Sequence, residues 1–251
     1  MDYKRLKFAA DKLRTKLYRL AHRRKEGKDE IRYEIHKRIA RLGKQYEDGN
    51  SNCIGYTYHP IPFEEFNRSS VHRGHDSCKT RLDAILSDSQ VGKGDRVLDI
   101  GANVGYFSFG FSKLGAIVDS VELQRDTFEI GSLLSLLYDA DVNYINKPVS
   151  IRLVKHLDHR YKVTLLLSVV HWILKQNGKA NTLELLRYID SVSDILYFEA
   201  PSSGNDALVF HEEFSSKRNL EAFLAEAFPE RDISELGSSA DWGGRVLYRI
   251  R

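Results

Sequence analysis

Only two cysteines, Cys53 and Cys78, stand among the 251 residues. That number supports neither a disulfide framework nor a cysteine-built zinc site. No apolar run approaches the length of a bilayer span, so no transmembrane segment is expected. The opening stretch, MDYKRLKFAADKLRTKL, is too charged for a secretory signal. These absences together point to a cytoplasmic protein. Charge of one sign is also lacking: Lys and Arg number 38 against 35 for Asp and Glu, and the formal net charge is +3. Such a balance admits an anionic ligand without demanding nucleic acid. There is no internal repeat and no low-complexity tract. The 42% of hydrophobic residues is enough for a core. The length suits one α/β domain with an extension, or two small domains.

What the chain does have is concentrated in residues 96–108, RVLDIGANVGYFS. Val97, Leu98 and Ile100 form a short apolar run that suits a buried parallel strand. Asp99 interrupts it near the carboxyl end, and Gly101 and Gly105 follow in a tight turn. Residues 106–114 then read as a helix, with Phe107, Phe111 and Leu114 on one side. Strand, glycine turn and helix make the first unit of a nucleotide-binding α/β sheet. A Cβ on the turn would hold a ligand away from the backbone, which is why glycine is needed there. A dinucleotide fingerprint would read G-x-G-x-x-G. Here Asn103 and Tyr106 occupy the second and third glycine positions, which argues against an NAD site. Residues 117–122, IVDSVE, end in Glu122, placed about 20 residues on, where an acid for ribose hydroxyls is expected.

Residues 1–47 read as a basic helical hairpin outside the sheet. Leu6, Leu13, Leu17 and Leu20 recur at helical spacing, and Ile31, Ile35, Ile39 and Leu42 repeat the pattern after Gly27. Its bases cluster at Arg23, Arg24 and Lys25 and at Lys37, Arg38 and Arg41. One reading is a solvated helix face; the others are contact with a polyanion, a membrane surface or a second copy. Residues 48–90 form a linker and a cofactor lid, carrying Tyr58, Arg73, His75 and Arg81. Residues 91–251 are expected to form the α/β domain built around the glycine turn. Further strands are expected at 142–145, 163–168, 195–199, 233–236 and 245–250, with helices at 128–138, 182–192 and 220–228. Alternation of strands and helices predicts a doubly wound, mostly parallel seven-stranded sheet. The last two strands are expected to form a hairpin that leaves one antiparallel edge strand. In such sheets ligands bind outside the carboxyl ends of the strands. His171, in the segment after the fourth strand, is therefore a candidate functional residue.

The D-x-G-x-x-x-G turn with Glu122 resembles the class I S-adenosylmethionine-dependent methyltransferases, whose Rossmann-like sheet is of this type. Tyr58–Ile61 with His75–Ile85, Leu167–Ile173 and Gly244–Tyr248 resemble, more narrowly, the methyltransferase domain of bacterial O-antigen chain-terminating kinase/methyltransferases. The last two segments are also similar to the bicoid-interacting-protein RNA phosphate-capping methyltransferases. The resemblance covers residues 56–251. It implies S-adenosyl-L-methionine as cofactor, held by Tyr58, Arg73, Arg81, Asp99, Gly101, Asn103, Gly105, Glu122, Leu123 and Ser168. It implies an anionic acceptor, a phosphorylated glycan or similar, faced by His171 and Arg245. Two departures stand out: Val246 replaces a proline of the related ending, and Lys147 lies where many methyltransferases place an acid beside the adenine. Two alternatives remain open. One is an RNA methyltransferase that uses the basic N-terminal helices; the other is a non-catalytic binding partner that keeps the fold.

Overall fold

The computed structural model describes residues 27–47, 59–66, 75–200, 212–238 and 245–251. Its centre is a sheet in the order β3-β2-β1-β4-β5-β7-β6. The strands are β1 (Arg96–Ile100), β2 (Ile117–Val121), β3 (Val142–Ile145), β4 (Tyr161–Leu167), β5 (Ser193–Glu199), β6 (Ile233–Ser238) and β7 (Val246–Ile250). β1 to β5 pair in parallel. β7 runs antiparallel to β5 on one side and to β6 on the other. The expectation of an antiparallel edge strand is thus corrected. The edge strand β6 runs with the parallel set, and the reversed strand lies inside, between β5 and β6. Burial explains the order: Leu247 and Ile250 of β7 are fully enclosed, whereas β6 buries none of its six residues and shows Glu235 and Ser238 to solvent. A strand with apolar groups on both faces needs neighbours on both edges.

Alternation along the strands sends successive side chains to opposite faces. One face carries Val97, Val118, Val142, Leu165, Tyr197 and Leu247. Against it pack α1 (Lys28–Glu47), α2 (His75–Ser89), α3 (Tyr106–Ser112) and α4 (Arg125–Leu137). The other face carries Leu98, Ile100, Leu166, Leu196 and Phe198, covered by α5 (Ile151–Leu157), α6 (Val170–Ser191) and α7 (Lys217–Ala227). α3 is shorter than the sequence implies. It ends at Ser112, so Leu114 falls past the helix and is 43% exposed, and Phe109 joins Phe107 and Phe111 inside. α6 is longer, beginning directly after β4, with a break at Gly178 (φ 73°, ψ 168°).

Ile31, Ile35, Ile39 and Leu42 of α1 are buried in the same core as the sheet. The stripe visible in the sequence is therefore covered by this chain itself, chiefly by α4. Its bases face acids: Arg38 pairs with Glu34 and Glu129, Arg41 with Asp126 and Glu129, and Arg32 with Asp29 and Glu65. Leu6, Leu13, Leu17, Leu20 and the Arg23–Lys25 cluster lie outside the described residues. Among the described residues no helix is long and apolar enough to cross a membrane.

α2 is fixed to the sheet at its middle and at its carboxyl end. Arg81 reaches Glu199 of β5, and one helical heptad on, Asp88 accepts from Tyr197 of β5 at 2.7 Å and from Arg249 of β7 at 2.9 Å. Positions 81 and 88 share a helix face, and positions 197 and 199 share a strand face, so the contacts repeat along one seam.

Candidate functional site

The carboxyl ends of β1 and β2 converge on one acid. Glu122, buried at 8% exposure, accepts from the backbone N–H of Asn103 at 2.8 Å and from that of Gln124 at 2.7 Å. One carboxylate thereby ties the turn after β1 to the turn after β2. Burial pushes its pKa up, and these backbone donors pull against that shift. Leu123 beside it is 51% exposed, an apolar surface left at the rim. Asn146 donates to the carbonyls of Glu122 and Leu123, bracing the same corner from the end of β3, just before Lys147.

The turn itself is tight. Gly101 (φ 78°) and Gly105 (φ 90°) adopt left-handed conformations that L side chains rarely take, and Asn103 (φ 52°) lies between them. A Cβ on Gly101 would come within 2.7 Å of Val169 Cγ2. A Cβ on Gly105 would fall on the Tyr144 hydroxyl and 2.8 Å from the Phe109 ring. Val169, Tyr144 and Phe109 thus fill the side of the turn that a Cβ would occupy. The Asn103 Oδ1 atom is buried with no hydrogen-bond partner.

Asp99 faces down rather than along the turn. It is buried, and Ser108 Oγ of α3 donates to it at 2.5 Å; Ser120 Oγ of β2 donates to Ser108 at 2.8 Å. Register places Asp99, Ser120 and Tyr144 in one row across β1, β2 and β3. Burial raises the Asp99 pKa to about 7, with the Glu122 charge adding to the rise and the Ser108 hydrogen bond opposing it.

A second cluster lies at the ends of β4 and β5. Glu199 is fully buried. It accepts from Arg81 Nη1 at 2.6 Å, from Ser168 Oγ at 2.5 Å and from Arg245 Nη1 at 3.3 Å. Ser168 (φ 51°) is itself left-handed. Arg81 also donates to the Ser77 carbonyl and to Cys78 Sγ, and its guanidinium stands 5.6 Å from the centre of the Phe107 ring. His59 packs edge-on against Phe107. Its pKa falls to about 3 because it is buried and because Arg81 and Arg245 oppose a further positive charge. His171 is buried in the first turn of α6, its ring 5.1 Å from Trp172.

Among the residues singled out by sequence, Asp99, Gly101, Asn103, Gly105 and Glu122 therefore come together at one corner. Arg81, Ser168 and Arg245 come together around Glu199. Tyr58 and Arg73 lie outside the described residues. Glu199, Ser108 and Tyr144 escaped the sequence reading. The position of Glu199 at the end of a buried strand was visible, but its partners lie far away in the chain.

No protein-family model matches the chain, and no curated protein matches it. Solved structures do share its fold. The bifunctional kinase-methyltransferase WbdD superposes with a TM-score of 0.62 at 18% identity, over 77% of this chain and 43% of that one. The magnesium protoporphyrin IX methyltransferase ChlM of Synechocystis PCC 6803, with bound SAH, superposes with a TM-score of 0.52 at 13% identity, over 70% and 82%. The chain thus spans less than half the length of the WbdD structures. The fold is the Rossmann-like methyltransferase fold that the sequence resemblance implied.

Proposed function

We propose that the chain is an S-adenosylmethionine-dependent methyltransferase acting on an oxygen of an anionic acceptor, a phosphorylated or glycan-type molecule. The observation that carries this reading is the single carboxylate of Glu122 held between the glycine turn and the β2 turn. The residues fit the cofactor. Half-buried Gly101 stands at the carboxyl end of β1, where the methionine part would lie, Glu122 has the chemistry for ribose hydroxyls, and exposed Leu123 offers a face for adenine. The shared fold with WbdD and ChlM supports the same reading. When bound, the cofactor supplies an electrophilic methyl group on a sulfonium that leaves as a neutral thioether.

The protein's own contribution is alignment, which in favourable cases is worth about 7–11 kcal/mol. An anionic oxygen needs no general base. It needs a cation to orient it, and the guanidinium of Arg245 suits that task through its two-pronged geometry. A second reading follows from His171, buried next to Trp172 at the carboxyl end of the sheet. If the acceptor is a neutral hydroxyl, His171 is suited to take its proton. The RNA alternative rests on Arg23, Arg24 and Lys25, because Arg32, Arg38 and Arg41 already face acids of this chain.

Turnover of His171→Gln and Arg245→Lys on one authentic acceptor separates these readings. On an anionic acceptor, Arg245→Lys loses more activity, since lysine cannot reproduce the fork. A defect of about 100- to 10,000-fold in His171→Gln beside a near-normal Arg245→Lys would overturn the anionic reading in favour of hydroxyl methylation.

A further inference from the structure

Glu199 is fully buried at the carboxyl end of β5. Burying a carboxylate is costly unless donors replace its lost water. Here the donors arrive from three separate segments: Arg81 from α2, Ser168 from the end of β4 and Arg245 from the start of β7. The two arginines are held differently. Arg81 is 3% exposed and closes on Glu199 at 2.6 Å; Arg245 is 14% exposed at its side chain and stands at 3.3 Å. Ser168 also donates its backbone N–H to the Glu199 carbonyl at 2.8 Å, so the two residues are joined twice. Val169, the next residue, is the one that packs under Gly101.

We propose that Glu199 is the positioning residue of this site, an internal counter-ion that sets the place of Arg245 and, through Ser168, seats Val169 beneath the glycine turn. The proposal rests on the methyltransferase reading above. It connects the two clusters: the side that would orient the acceptor and the turn that would carry the cofactor are braced by one side chain. His59, packed on Phe107, is kept neutral by its burial and by both arginines beside it.

Thermal unfolding of the full chain tests this, with inorganic phosphate as the anion probe and chloride at equal ionic strength as control. Glu199→Gln keeps an acceptor for Ser168 and removes the charge between the guanidiniums. It should melt about 10 °C below the wild type. Phosphate should recover at least half of that loss and stabilise the wild type far less, because an added anion replaces a missing one. Glu199→Asp keeps the charge and should respond to phosphate as the wild type does. If Glu199→Gln fails to fold in chloride, its refolding yield in phosphate becomes the readout, and recovery there is the expected result. Equal phosphate responses in all three proteins, or no recovery of the variant, would overturn the role of Glu199. Binding of S-adenosylhomocysteine to the wild type is measured separately. Its absence would overturn the methyltransferase reading while leaving the phosphate comparison intact.

Discussion

The Tyr144 hydroxyl occupies the place where a Cβ on Gly105 would stand. The ring enters from β3 and lies between Gly105 and Gly131, so two glycines on different elements accommodate one aromatic side chain. Gly105→Ala meets both the left-handed backbone (φ 90°) and this contact. The expected loss of stability is about 2–5 kcal/mol, the sum of a left-handed alanine and an overpacked core. The Tyr144 hydroxyl is buried without a hydrogen-bond partner. Tyr144→Phe alone should therefore be neutral or slightly stabilising, and should recover part of the Gly105→Ala loss. Urea denaturation of the four proteins of this cycle checks the pairing. Strict additivity would show that the two residues do not interact.

Asp99 gives a pH dependence with a definite sign. Its pKa is raised by burial to about 7 in the folded chain, above its ordinary unfolded value near 3.9. The folded state holds that proton more tightly, so its contribution is fully present below about pH 4 and is lost as pH rises to about 7. Asp99→Asn still accepts from Ser108 and does not titrate. Wild-type stability relative to Asp99→Asn should fall between pH 4 and pH 7 and then level off. A constant difference across that range would contradict the assignment.

Ile35 of α1 is fully buried in the core shared with the sheet. Ile35→Ala should cost about 2–5 kcal/mol in equilibrium unfolding of the full chain. A single cooperative transition is expected, because the stripe of α1 and the face of α4 exclude water together. A cost below about 1 kcal/mol, or a separate early transition, would show that the N-terminal helix behaves as an independent unit.

The contrast between legible and hidden features follows from chain distance. The β1 strand, its glycine turn and the acid at the end of β2 were readable because their signals are local: an apolar run, two glycines and one spacing. The apolar stripe of α1 was equally readable, yet the surface that covers it was not, since α4 lies about ninety residues on. Asp99 was legible as part of the motif, but its partner Ser108 depends on how α3 folds back over β1. Glu199 gave no motif at all. Its meaning comes from Arg81, 118 positions earlier, and from Arg245, 46 positions later. The inside position of β7 was likewise hidden, because periodicity reports which residues are buried and says nothing of the order in which strands pair.

Glu122 carries the proposed function as the acid that would receive the cofactor. Calorimetric titration of the full chain with S-adenosylhomocysteine measures this directly, comparing wild type with Glu122→Ala. The predicted result is one-to-one binding by the wild type, weakened about 10- to 100-fold in the variant through loss of hydrogen bonds to a charged group. No binding by the wild type, or equal affinity in the two proteins, would contradict it.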